Sequence, residues 1–354
     1  MTGVRCALMR GGTSKGAVFV ADDLPSDPAR RDALLLRIMG SPDARQIDGL
    51  GGAHPLTSKV AVVSPSDDPD VDVDYLFLQV AVDRPSVSAS QTCGNMLAAV
   101  GPFAIERGLV PAADGSTEVR VRLANTGALA TLRVRTPGGV VTYAGDTEVT
   151  GVPGTAAAVE VVAVPTGKPL FPTGHEQDHL ADHDVTCVDN GMPCVVVRAE
   201  DLGVTGAESP ADLEADDALL HAVRRIRAAA AEAMGLGSDL DSMTVPKIVL
   251  VAPPAAGGAV LTRSFIPERV HQAIGVLAAA SVAAALRAGG SVAHGLADLP
   301  ADGDPLRIEH PTGFLDVNVD GAATSVVRTA RLLMDGFVHP GPERIRPTDL
   351  EEIL

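Results

Sequence analysis

The sequence predicts an α+β protein of two similar domains, each an antiparallel sheet wrapped around one central helix. Three observations carry that expectation. The chain has 354 residues, more than one ordinary core accommodates. Two stretches, 95–105 and 272–286, are apolar on every face, and a helix apolar all round must be buried all round. The same succession then follows each stretch: an alternating strand, an x-Thr-Gly turn and a second alternating strand, over 119–134 and again over 306–319. That recurrence reads as an internal repeat.

The elements follow in order. The first domain spans 1–150 around a central helix at 94–108, and the second spans 151–354 around a central helix at 272–288, with the C-terminal residues able to return to the first. The junction falls within 145–184, a stretch rich in Gly, Pro and His. A surface helix over Pro28–Met39 has Ser26 or Asp27 as N-cap and Pro28 in its first turn. Strands are predicted at 59–63, 74–82, 185–188, 194–197 and 248–252. A longer surface helix over 212–234 is acidic at its start and carries Arg224, Arg225 and Arg227 further on, as the helix dipole favours. Trp is absent and aromatic residues are 3%, so Ala and Val must fill the cores.

A net charge of −17 disfavours nucleic acid and anionic membranes as partners. It leaves room for a small anion, because exposed charges are screened beyond roughly 8–10 Å. No apolar run of signal-peptide length follows the start, and the stretch 273–286 is shorter than the roughly 18–20 residues a membrane span needs. The four cysteines, at 6, 93, 187 and 194, form no CxxC pair. The expectation is a cytoplasmic protein with free thiols.

Among residues able to do chemistry, Cys93 stands directly before the first buried helix. A thiol there feels the positive end of the dipole, and the N–H groups of Gly94 and Asn95 can hold a carboxylate. The plainer reading is a small buried residue. Lys59 interrupts an apolar strand and either faces solvent or points into a cleft, where burial favours the neutral amine that acts as a base. Glycine-rich turns at 9–16 and 47–52 lack the phosphate-loop and dinucleotide spacings, but with Arg10, Thr13 and Ser14 they could cradle carboxylates or simply turn the chain. His175, His179 and His183 recur every four residues and could share one helix face, yet acidic neighbours weigh against zinc. Packing is the expectation for Cys187 and Cys194.

Consecutive words along nearly the whole chain resemble the PrpF branch of the diaminopimelate epimerase-like fold: LMRGGTSKGAVF (8–19), MGSPDARQIDGLGG (39–52), LTSKVAVV (56–63), CGNMLAAVGPFAIERGLV (93–110), NTG (125–127), YAGDTEVTGVPG (143–154), TCVDNGMP (186–193), TRSFIP (262–267) and RTARLLMDG (328–336). Epimerases of this fold use two cysteines, one heading each buried helix. Here Cys93 is the first, but the second would fall near Ile274, where no Cys stands, so two-thiol epimerisation is not expected. The branch pairs the Lys of the TSKVA word with the CGN cysteine, which maps onto Lys59 and Cys93.

The resemblance implies a cofactor-free, metal-free isomerase performing keto–enol tautomerisation of 4-oxalomesaconate, as in gallate catabolism. Its rivals are a 1,3-allylic isomerase of oxalomesaconate or 2-methylaconitate, and a non-catalytic accessory of an aconitase-like enzyme. It also implies that the tricarboxylate is held where the N-termini of both buried helices meet, by Thr13, Ser14, Gly94 and Asn95 of the first domain and Arg263, His271, Gln272 and Gly275 of the second. Arg331 is a further candidate. A homodimer is an admissible assembly to which no residue points.

Overall fold

A hairpin opens the chain. Strands β1 (Val4–Gly11) and β2 (Ser14–Val20) are joined by the two-residue loop Gly12-Thr13. Helix α1 (Pro28–Met39) follows: the Asp27 side chain accepts the Arg30 N–H at 2.8 Å, Pro28 opens the first turn, and Gly40 ends the helix at φ 80°. Asp27, rather than Ser26, is therefore the cap. The computed structural model describes residues 3–164, 169–237, 240, 243, 245–301, 304–320 and 323–342. The chain forms two units, the first comprising the residues up to Val161 and those from Arg328 onward, the second Val162–Val327.

In the first unit β3 (Lys59–Pro65) runs parallel to β2, and β4 (Val73–Val80) antiparallel to β3. A short β5 (Val87–Ser88) leads to α2 (Gly94–Glu106), after which β6 (Gly115–Leu123) runs parallel to β4 and β7 (Leu129–Thr136) antiparallel to β6. The small pair β8 (Thr147–Glu148) and β9 (Thr155–Ala156) precedes β10 (Ala158–Val164), the neighbour of β7. The sheet is mixed, not antiparallel as expected. The connection from β2 to β3 passes through α1 and that from β4 to β6 through α2, and a helical crossover returns the chain to the end where it started.

The two helices take opposite faces. Leu35, Leu36, Ile38 and Met39 of α1 pack with Ala17, Phe19, Val60, Val62, Leu78 and Val80. On the other face α2 lies against β1, β2, β3, β4, β6 and β7, and every residue from Met96 to Ile105 is buried. This helix ends at Glu106, two residues short of expectation.

The second unit contains β11 (Asp178–Leu180), β12 (His183–Asp189), β13 (Pro193–Arg198), α3 (Pro210–Glu214), α4 (Asp217–Ala233), β14 (Lys247–Ala252), β15 (Val260–Phe265), α5 (Val276–Arg287), β16 (Leu306–His310) and β17 (Gly313–Asp320). It is again mixed, with parallel pairs β13–β14 and β15–β16. α4 covers one face through Leu219, Val223, Ile226 and Ala230, while α5, buried from Val276 to Leu286, packs against β12, β13, β16 and β17.

Three local expectations are corrected here. The 212–234 helix is two helices, because the Asp216 side chain captures the Leu219 N–H at 3.0 Å and starts a new one. The central helix begins at Val276 rather than 272, since the preceding residues form a loop in which His271 Nδ1 accepts the Ala273 N–H at 2.8 Å. His179 and His183 lie on the two strands of the β11–β12 hairpin, not on a helix, and His179 Nδ1 pairs with Asp184 Oδ1 at 2.8 Å.

The last strand, β18 (Ala323–Val338), pairs with β17 at its start and, from Arg328 on, belongs to the first unit, where it runs antiparallel to β1. Residues 343–354, part of the expected C-terminal return, lie outside the described residues. Among the described residues no helix is long and apolar enough to cross a membrane.

Candidate active site

Strand alternation builds the first unit's site. Leu78 and Val80 belong to the core under α1, so Tyr75, Phe77 and Gln79 of β4 face α2. Lys59 is the register partner of Gln79, and Ala61 of Phe77, which puts Lys59 on the same side. Its side chain is buried: Nζ donates to Gln79 Oε1 at 2.8 Å and sits 5.0 Å from the centre of the Phe77 ring. Two residues beyond Phe77 along this face, the Tyr75 hydroxyl donates to the Cys93 carbonyl at 3.2 Å. Burial, with Cys93 beside it, holds the Tyr75 phenol well above its ordinary range. One strand face thus carries contacts to both Lys59 and Cys93.

Cys93 is the N-cap of α2, and its side chain makes no capping hydrogen bond. The helix's own ladder begins with Leu97 N–H to the Cys93 carbonyl, which leaves the N–H groups of the first turn outside it. Asn125 of the NTG turn ties down the approach to this cap: its amide bonds both the N–H and the carbonyl of Phe77 at 2.9 Å and the Ala89 carbonyl at 2.8 Å.

The β1–β2 hairpin leans on the same helix end. A side chain on Gly11 or Gly12 would overlap Asn95, and Gly12 also adopts a φ of +48°. Asn95 Nδ2 donates to Thr13 Oγ1 at 3.0 Å. Around this turn Ser14 Oγ, Thr92 Oγ1 and Asn95 Oδ1 are buried without a protein hydrogen-bond partner. Two hydroxyls and a helix N-terminus supply donors for a carboxylate, and the Asn95 oxygen supplies an acceptor beside them.

The glycine-rich turns commit several backbone N–H groups within the protein, and the first offers its Ser14 hydroxyl instead. Gly12 N–H donates to the Thr329 carbonyl, and Arg10 braces the hairpin from NH1 to the Gly12 carbonyl at 2.9 Å and to Thr329 at 3.0 Å. In the second turn the N–H groups of Gly49, Leu50, Gly51 and Gly52 are taken by Gln46, Ile38, Met39 and Thr57. Arg331 is the exposed register partner of Arg10. Both alternate with Gly11 and Ala330, so they point away from α2 and the structure does not bring Arg331 to its N-terminus. Burial and the neighbouring Arg331 lower the Arg10 guanidinium from its ordinary value.

In the second unit Gly275 is the N-cap of α5, as Cys93 is of α2, and it stands one residue past Ile274. Gln272 and His271 lie in the loop leading to it, where the Gln272 carbonyl accepts from Thr312 Oγ1 at 2.9 Å. Arg263 is not part of this group. It pairs in register with Leu250, and with Leu261 and Phe265 it faces the α4 core, away from α5. There it donates to the Glu208 and Thr262 carbonyls, both at 2.9 Å, and burial lowers its guanidinium despite nearby Glu208.

Sequence reasoning passed over Tyr75, Gln79, Thr92 and Asn125. A usable signal was present in Tyr75-Leu-Phe-Leu-Gln79, where a hydroxyl and an amide share one parity with Phe77 opposite a purely aliphatic parity.

A buried lysine and a helix-capping cysteine stand beside donors suited to a carboxylate, on an epimerase-like fold. A crystal structure of a hydroxyproline epimerase from Agrobacterium vitis matches with a TM-score of 0.57 at 16% identity, covering 94% of this chain and 90% of that one, a likeness of fold alone. A crystal structure of methylitaconate-delta-isomerase matches with a TM-score of 0.80 at 36% identity, covering 95% of both chains. The PrpF protein family profile matches residues 1–340. This chain belongs to the PrpF family. It is 53% identical to the (4E)-oxalomesaconate Delta-isomerase of Novosphingobium sp. (strain KA1), over 96% of this chain and 98% of that protein. It is 52% identical to the 4-oxalomesaconate tautomerase of Pseudomonas putida (strain KT2440), over 96% and 97% respectively.

Proposed function

We propose that this chain is an isomerase that converts the keto form of 4-oxalomesaconate to its enol, with Lys59 as base and Cys93 as its acid–base partner. The observation that carries this reading is the shared α2-facing side of β4, which contacts the buried Lys59 amine through Gln79 and Phe77 and the Cys93 cap through Tyr75. Relatives above 50% identity over nearly the whole chain are named for oxalomesaconate, which supports the substrate. With the short elements β5, β11 and α3 set aside, both units run two strands, helix, two strands, buried helix, two strands, which supports their being copies of one plan.

The substrate methylene lies between a ketone and a conjugated acid, so its protons are already acidic. Lys59 takes one as the C–H bond breaks; the electron pair moves to the ketone oxygen, and Cys93 supplies the proton that completes the enol. Solvent exchange then returns the proton from the ammonium to the thiolate. Positioned acid–base groups contribute typically about 10²–10⁴-fold, enough for so activated a carbon acid. One carboxylate sits at the head of α2, held by first-turn N–H groups, Ser14 and Thr92.

The 53% relative named a Delta-isomerase favours a second reading, in which Cys93 protonates carbon and the double bond shifts. Incubation with 4-oxalomesaconate in deuterated buffer, followed by ultraviolet absorbance and proton NMR, separates the two. Enol formation that is lost in Lys59→Ala and Cys93→Ala supports tautomerisation. Carbon-bound deuterium with the ketone retained supports the allylic shift. Full turnover in Cys93→Ala removes that residue from the mechanism.

A further inference from the structure

We infer that Gln79 is the positioning residue of Lys59, and that a neutral acceptor at this position keeps the amine available as a base. The inference rests on the reading of Lys59 as the base and goes further, naming what holds it.

The orientation of the Gln79 amide follows from its surroundings. Nε2 donates to the Ser58 carbonyl at 2.9 Å and the Pro55 carbonyl at 3.1 Å, with the Val80 carbonyl at 3.4 Å. Carbonyls accept only, so the amide nitrogen must face them and Oε1 must face Lys59 Nζ, 2.8 Å away. The backbone leading into Lys59 is fixed by the same residue, because Ser58 precedes it. Ser58 is fixed again from its side chain, which donates to the Val80 carbonyl at 2.9 Å and accepts from Gln46 Nε2 at 2.8 Å. Neither end of the Lys59 side chain is left to wander.

That geometry suits a base. A neutral amine has two N–H donors and one lone pair. An N–H committed to Oε1 directs the lone pair elsewhere, and after proton capture the ammonium keeps the same hydrogen bond while resting near the Phe77 ring face. The charge environment is equally specific. From β4 the site presents Tyr75, and from the α2 cap Cys93; His54 lies in the exposed turn before β3, and Lys15 of β2 alternates away with its Nζ against Gly52. Among the described residues no carboxylate pairs with Lys59. A Glu at position 79 would be that carboxylate, and an opposite charge at this range favours the protonated amine.

The test compares wild type with Gln79→Glu, Gln79→Met and Lys59→Met. It uses the pH profile of kcat/KM on 4-oxalomesaconate, together with the pH dependence of Lys59 labelling by trinitrobenzenesulfonate, read by peptide mass spectrometry. The labelling reports the amine without requiring turnover. In Gln79→Glu both midpoints should rise by roughly 1–3 pH units, and the rate should recover above the new midpoint because the carboxylate again accepts from Nζ. In Gln79→Met, kcat should fall by about 10–100-fold with KM nearly unchanged, since the amine is misdirected but substrate contacts remain. Profiles and labelling of Gln79→Glu that superimpose on wild type would overturn the inference, and this variant decides the matter if Gln79→Met fails to fold. Wild-type turnover in Lys59→Met would overturn the base assignment and the inference with it. An inactive Lys59→Met alongside an unshifted Gln79→Glu would refute the role of Gln79 alone.

Discussion

Gly11→Ala puts the contact between the opening hairpin and the buried helix under direct stress. Gly11 is the last residue of β1, paired with Ser14 and Ala330, and a Cβ there would overlap the Asn95 carbonyl and lie 3.2 Å from the Met96 Cα. Those atoms are helix backbone in a buried first turn, so the hairpin must yield instead. Overpacking of this kind costs about 1–3 kcal/mol. Retreat of the hairpin also strains the Asn95–Thr13 hydrogen bond of 3.0 Å, worth about 0.5–1.5 kcal/mol. The expected loss is therefore about 2–4 kcal/mol. The chain has two tyrosines and no Trp, and both Tyr75 and Tyr143 lie in the first unit, so intrinsic tyrosine fluorescence reports that unit's unfolding. With a urea dependence of about 2 kcal/mol per molar, the midpoint should fall by about 1–2 M. Displacement of Thr13 and Ser14 by about 1 Å should also lower kcat/KM about 100-fold. An unchanged urea midpoint with full activity would refute the idea that this close approach shapes the site.

Two further outcomes follow from individual contacts. Arg107 donates twice to Asp335, at 2.9 and 2.6 Å, and this hydrogen bonding holds the Asp335 carboxyl below its ordinary range. A depressed folded-state value means stability fully present above the unfolded carboxylate value of about 4 and lost as pH falls from there through the lower folded value, so wild type should exceed Asp335→Asn in thermal stability at pH 7 and still do so near pH 4, converging with it only in stronger acid. In the second unit the Ser281 hydroxyl accepts from the Asn190 N–H at 3.0 Å and donates to the Met192 carbonyl at 2.7 Å, all buried. Ser281→Ala orphans both groups and should destabilise by about 2–4 kcal/mol in calorimetry, whereas a loss under about 0.5 kcal/mol would mean the loop rearranges to satisfy them.

What the sequence determines by itself is what local physics decides. Asp27, Pro28 and Gly40 bracket α1 because capping involves only neighbours along the chain. The all-round apolar character of α2 and α5 requires burial whatever covers them. Cys93 before the first helix was legible for the same reason, as was Lys59 in its strand. Relations that depend on pairing were not legible. Whether a strand runs parallel or antiparallel depends on which end its crossover returns to, so the mixed sheets emerge only from the connections through α1, α2, α4 and α5. A residue's face depends on register, and one step of alternation sends Arg263 to the α4 core and Arg331 away from α2 while leaving Lys59 beside Gln79. The amide that orients the lysine lies twenty residues from it along the chain. Only the β3–β4 pairing brings them together, because a hydrogen bond is set by distance in space and carries no trace of separation in sequence.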